Sequence, residues 1–312
     1  MAISYRERSY KTFGRVLAID NGEIELFITL DMGPHIIRYA RIGGENVMYE
    51  DVNARFIEKG ECFDKYYYPG AYWYNCGGHR VWVTPESRPE TYYPDNEPCE
   101  YTVDGNIFTF TPPAQRANNI ALKLIVTVDE TGSGVTVCAE AKNVGDAPKS
   151  FGIWQITVAC TGGTLIVPQT TRDTGLLHNR RISLWPYASM SDERAYWGKT
   201  LISLRQDKTI SQAFKIGTSN ERGYAAYLCN GDLFVKRIQY FPGVPYPDDG
   251  CNFETYTNDS FLEIESLGKM APVAPGDTVS TVEVWSLTPD VAAPDAKDEA
   301  ALAAILDKYV GK

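Results

Sequence analysis

Histidine is scarce in this chain of 312 residues, occurring only as His35, His79 and His178. A histidine-built metal centre is therefore not expected, although any one of the three could act as an acid or base near neutral pH. Cysteine occurs seven times, as Cys62, Cys76, Cys99, Cys138, Cys160, Cys229 and Cys251, but never as a CxxC pair. Neither a zinc site nor a disulfide framework is suggested by that spacing. Scattered thiols, odd in number, read as reduced structural residues of a cytoplasmic protein. Positive charge is also short. Thirty Lys and Arg against forty Asp and Glu leave a formal charge of −10. Nucleic acid and anionic membrane both require a positive footprint, so neither is an expected partner. No apolar run approaches the roughly 18 residues of a membrane span. The polar, charged opening run Met1–Arg8 has no apolar core of a signal peptide.

Helical periodicity is nearly absent as well. Ile24, Leu26, Ile28 and Leu30 alternate with Glu23, Glu25, Phe27 and Thr29 after the turn Asp20-Asn21-Gly22. That is the period of a half-buried strand. Leu122, Leu124, Val126 and Val128 form one such face, and Val135, Val137, Ala139 and Ala141 a second, with Asp129–Gly134 between them. The pair reads as a hairpin. Further strand runs follow at 151–158, 164–167, 224–228, 233–239, 262–266 and 278–287. Residues 60–100 differ: nine Tyr and Trp and five Pro make a long aromatic segment in which regular helix is not expected. Only residues 295–310, with Ala300, Leu302, Ala304 and Ile305 among charges, suit an amphipathic helix. The expected fold class is all-β: one domain, a large two-sheet antiparallel sandwich over about residues 15–288 with a short C-terminal helix.

Chemistry concentrates in Asp248-Asp249-Gly250-Cys251-Asn252-Phe253-Glu254-Thr255-Tyr256-Thr257-Asn258. A carboxylate can take a hydroxyl proton. The flanking amides and hydroxyls can bond a polyol in both directions. The competing reading is a strand edge whose Glu254 is structural. A second candidate run, Gly77-Gly78-His79-Arg80-Val81-Trp82, sits inside the aromatic segment. Arg80 offers a planar fork for hydroxyls or carboxylates. Trp73, Trp82 and Trp154 are possible sugar platforms. Lys236 alternates with Arg237 along a strand, and an inward Lys needs a carboxylate partner. His178, beside Asn179 and Arg180, reads as a loop residue.

These stretches, with Gly33-Pro34-His35-Ile36, resemble the galactose mutarotase-like (aldose 1-epimerase-like) superfamily, over about residues 15–288. The resemblance implies a β-supersandwich with a sugar-binding concave face and no metal or organic cofactor. Gly77–Trp82 lies where epimerases carry an Asn-Arg motif touching the sugar. Gly250–Thr255 is similar to the segment bearing the catalytic Glu, which is carried over as Glu254. The family's acid His has no counterpart, because the corresponding run Phe151–Thr157 lacks one. The expectation is a cytoplasmic protein that binds a sugar or sugar derivative and interconverts anomers. Glu254 would be the base and His79 the replacement acid, with Arg80, Lys236, Trp82 and Asn252 as sugar contacts in one cleft. The alternatives are a non-catalytic carbohydrate-binding or regulatory domain, or a lyase or hydrolase on the same fold.

Overall fold

Period-two patterning is realised as strands that stack in two layers. The computed structural model describes residues 3–311. Met1 and Ala2 of the N-terminal run, and Lys312, lie outside the described residues. Leu124, Val126 and Val128 of strand Ile120–Val128 stand opposite Ala139, Val137 and Val135 of strand Val135–Asn143, and all six are buried. This hairpin belongs to a ten-stranded sheet that also holds Tyr224–Cys229, Asp232–Arg237 and Thr278–Thr288. The other sheet has eleven strands. Across its centre Ile36–Arg41, Gly78–Thr84, Lys149–Ala159, Leu262–Leu267, Phe253–Thr257 and Phe214–Thr218 are neighbours in that order. The pairings are antiparallel throughout. Between the sheets lie Leu26, Ile28, Phe108, Val126, Phe234 and Trp285, parts of one buried cluster. The architecture is the expected all-β sandwich, with 45% of residues in strands and 7% in helix.

The C-terminal helix runs Glu299–Tyr309, capped by Asp298, whose carboxylate accepts from Ala301 N at 3.0 Å. Leu302, Leu306 and Val310 pack on Tyr224, Leu228 and Val235. These three alternate with Ala225, Tyr227 and Phe234, which face the inter-sheet core, so the helix covers the outer side of the ten-stranded sheet. No described helix is long and apolar enough to cross a membrane.

Residues 60–100 depart from the expected helix-free segment. Glu61–Tyr66 is helical, which its sequence allows because the prolines begin only at Pro69. Tyr72–Tyr74 and Gly78–Thr84 are strands. The segment folds over the outer side of the eleven-stranded sheet, where Phe63 and Trp73 pack with Trp82, Trp154, Ile156 and Val158.

A polar staple crosses the core between the sheets. Lys236 Nζ, from the ten-stranded sheet, meets Glu283 at 2.8 Å and donates to Ile264 O at 2.8 Å and Thr157 Oγ1 at 3.0 Å on the other sheet. Glu283 also accepts from Trp285 Nε1 at 2.9 Å and from the Ser266 hydroxyl. Each buried charge is thus paired and hydrogen-bonded, the condition for a charge to survive in a core. Lys236→Met leaves Glu283 buried without its cation. It should cost about 3–5 kcal/mol in denaturant unfolding, with much of the loss recovered in Lys236→Met/Glu283→Gln. A loss under about 1 kcal/mol in the single variant would mean that the staple does not hold the layers together.

Candidate functional site

Directly opposed residues of antiparallel strands share a face. Register therefore draws one row across six strands of the larger sheet: Ser183, Gly217, Glu254, Glu265, Ile156 and Arg80. An adjacent row on the same face holds Lys215, Tyr256, Glu263 and Val158. Phe214, Ile216, Phe253, Leu262 and Ile264, which alternate with these, face the inter-sheet core. The two rows thus lie on the outer side, under the aromatic cover.

Lys215 is the hub. Its ammonium stands 2.8 Å from Glu254 and 3.1 Å from Glu265, and 4.7 Å from the ring centroids of both Trp154 and Trp185. Trp154 Nε1 donates to the same Glu265 oxygen at 2.9 Å. Beside this group Arg80 pairs with Glu263 at 3.0 Å and lies over the Trp82 ring at 4.4 Å. Glu254 and Glu265 are at most 1% exposed. One oxygen of each, Glu254 Oε1 and Glu265 Oε1, has no hydrogen-bond partner, nor has Arg80 Nε. Unpartnered buried acceptors and donors are uncommon, and each calls for a reason.

The charges do not balance. Arg80 is matched by Glu263, but Lys215 faces two carboxylates. Burial, the dominant cause, pushes the Glu254 carboxyl up to about 9; Lys215 pulls it down and Glu265 pushes it up further. Burial also raises Glu265, against the pull of Lys215 and with the push of Glu263. The Lys215 ammonium is held charged by its two carboxylates against its own burial. Two close carboxyl groups with a single cation retain one proton between them. Glu265 accepts from two donors and Glu254 from Lys215 alone, so the negative charge settles on Glu265 and the proton on Glu254.

The rim is aromatic. Tyr187 is partly exposed, and its hydroxyl is kept protonated chiefly by burial. Tyr92, whose hydroxyl bonds Glu86, packs edge-on against Trp82 at 5.0 Å. Trp82 also meets Trp154 at 5.4 Å and Trp73 at 5.1 Å.

Of the residues expected in one cleft, Glu254, Arg80 and Trp82 are together. His79 and Lys236 are not, and that expectation is corrected. His79 neighbours Arg80 on one strand, so it must point to the opposite face. It lies between the sheets, its Nδ1 2.9 Å from Thr157 Oγ1, its Nε2 3.2 Å from Gln155 Oε1 and its ring edge-on to Trp285. Burial and then the Lys236 charge drive its pKa well down, so it is neutral and far from solvent. Lys236 is the staple described above. Asn252 is also corrected: its Oδ1 accepts from Asn220 N at 2.7 Å and its Nδ2 donates to Asn220 O at 3.1 Å, leaving its amide spent on a turn. The sequence reading missed Lys215, Glu265, Glu263 and Trp185. Phe214-Lys215-Ile216 and Leu262-Glu263-Ile264-Glu265 do carry a period-two signal, but such a face ordinarily meets water.

No family model matches the sequence, and no curated protein matches it. Solved structures do resemble it. The suggested mutarotase YeaD of Salmonella typhimurium is 12% identical with a TM-score of 0.57, the match covering 92% of this chain and 94% of that one. A galactose mutarotase-like protein of Lactobacillus casei is 9% identical with a TM-score of 0.55, covering 88% and 100%. A TPR-domain containing protein of Parabacteroides distasonis is 13% identical with a TM-score of 0.59, and there the chain spans about half, 48%, of its length. The shared property is the fold, which is that of galactose mutarotase-like proteins.

The proton on Glu254 has a measurable consequence. A carboxyl whose folded pKa lies above its unfolded value binds more protons in the native state. Its contribution is fully present below about pH 4.5 and is lost as pH rises toward about 9. Wild-type stability should therefore fall across that window more steeply than that of Glu254→Gln, followed by denaturant unfolding at stepped pH. Equal slopes would mean that Glu254 is ionised when folded.

Proposed function

We propose that this galactose mutarotase-like chain binds the pyranose ring of a sugar over Glu254 and Glu265 and interconverts its anomers. The observation that carries the reading is the pair of buried carboxyl groups sharing one ammonium, each with an unpartnered oxygen on a face walled by tryptophan. Mutarotation needs one proton delivered to the ring oxygen and one taken from the anomeric hydroxyl. Protonated Glu254 suits the first task and ionised Glu265 the second. As the O1 proton passes to Glu265, C1–O1 becomes a carbonyl and the C1–O5 bond breaks. O5 takes the Glu254 proton, C1–C2 rotates and the ring recloses by the reverse transfers. Both steps are proton transfers, so no metal or organic cofactor is needed.

Lys215 holds the negative charge in place whichever carboxyl carries it. Trp154 and Trp185 offer apolar faces, and Arg80 Nε is a free donor for a ring hydroxyl. Because both carboxyls are covered, entry requires Trp185 and its neighbours in residues 186–190 to lift. The closed state would then exclude water around the proton transfers. This reading replaces His79 as the acid with a carboxyl on the same face as the base.

Glu254→Gln and Glu265→Gln should each lower anomer interconversion by about 10²–10⁴-fold, measured by polarimetry on freshly dissolved aldoses. Sugar affinity by calorimetry should stay within about tenfold, since each amide keeps the shape. Unchanged turnover in both variants would remove the carboxyl pair from the chemistry. Binding without any turnover in the wild type would leave a carbohydrate-binding module.

A further inference from the structure

An open hollow of about 1220 Å³ is lined in part by Arg172, His178, Arg181, Tyr240, Tyr246 and Asp249. It exceeds the roughly 300–1,000 Å³ that holds a drug-sized ligand. Tyr240 and Tyr246 stack with centroids 6.0 Å apart and planes 9° from parallel. The charges offset one another. Arg172 grips Glu221 with two bonds of 3.0 and 2.9 Å, and Tyr240 donates to the same carboxylate at 3.4 Å. Arg181 makes no ion pair among the described residues, and exposed Asp249 faces the same space. Aromatic rings beside planar donors and acceptors, with little net charge, suit a neutral polyhydroxylated ligand better than an anion.

The hollow lies beside the turn that leads into the strand bearing Glu254. A Cβ on Gly250 would stand 2.3 Å from Arg181 Nη1, so the guanidinium is pressed against bare backbone. One residue on, Cys251 Sγ lies 2.7 Å from where a Gly217 Cβ would be, and Glu254 Cγ lies 3.3 Å from the same point. Cys251 also donates to Ser183 Oγ at 3.3 Å, and Ser183 heads the row that contains Glu254. Arg181 thus packs on the turn Pro247–Gly250, which leads into Phe253–Thr257, the strand bearing Glu254. Asp248 and Asp249 complete that turn with φ of 50° and 62°, a left-handed conformation that Asp tolerates at a cost.

We infer that the hollow holds further units of an oligosaccharide whose reducing-end ring occupies the Glu254–Glu265 site, an inference that rests on the proposed reading of that site. The reducing end must lie at the carboxyls, because only that ring has a free anomeric hydroxyl. The non-reducing units then run over Arg181 and the tyrosine stack.

The test is calorimetric titration with glucose, galactose and their α-1,4- and β-1,4-linked di- to pentasaccharides. In one series affinity should rise at least about tenfold from mono- to trisaccharide. Arg181→Ala/His178→Ala removes two polar walls, and Val244→Trp fills the hollow. Either should abolish the rise while leaving the monosaccharide affinity within about threefold. Affinity independent of length, or an equal loss for mono- and trisaccharide, would overturn the inference. Flat length dependence with turnover sensitive to Glu254→Gln sinks the hollow alone. Length dependence abolished by Val244→Trp, with turnover insensitive to both carboxyl variants, sinks the proposed reaction alone. No binding by any member of the panel overturns both.

Discussion

One buried ammonium between two buried carboxyl groups is the constraint on which the site depends. Burying a single ion pair is expensive unless its geometry and hydrogen bonds are complete. Here the count itself is incomplete, with Lys215 facing both Glu254 and Glu265. The imbalance is met by keeping a proton, and a kept proton beside an ionised carboxyl is an acid next to a base. The aromatic cover creates this condition. Were Trp154 and Trp185 removed from the outer face, water would reach both carboxylates and their titration would return toward ordinary values.

The two faces of the same strands hold two polar clusters of different character. Toward the second sheet, Lys236 and Glu283 are paired and fully hydrogen-bonded, and His79 is neutral between Thr157 and Gln155. Toward the aromatic cover, acceptors on Glu254 and Glu265 and a donor on Arg80 stand free. A satisfied network rigidifies a core. An unsatisfied one beside partly exposed aromatics is where a ligand's hydroxyls would be stabilised. Because the clusters share strands, the inner one fixes the register that sets the outer row.

Much of the sandwich was legible in the sequence because its strands have one apolar face each. Ile24–Thr29 and the 120–143 hairpin alternate cleanly, and the C-terminal helix shows the one helical stripe of any length. The site was legible only at Glu254, Arg80 and Trp82. His79 was misplaced by strand parity: adjacent to Arg80, it cannot share its face. Lys236, expected among the sugar contacts, instead points between the sheets, where its carboxylate partner is Glu283. Lys215 and Glu265 were passed over because charges alternating with apolar residues ordinarily mark a solvent face. What makes that face an interior is cover from Trp185 and from the 60–100 segment packed on Trp154, which no local pattern reports.

The central claim is that one proton resides on the Glu254–Glu265 pair at neutral pH. Infrared spectroscopy of the intact protein, comparing wild type with Glu254→Gln, reads it directly. The account predicts a protonated carboxylic C=O band in the wild type at neutral pH that disappears in the variant and fades in the wild type as pH approaches about 9. A wild-type spectrum in which every carboxyl group is ionised at neutral pH would contradict it.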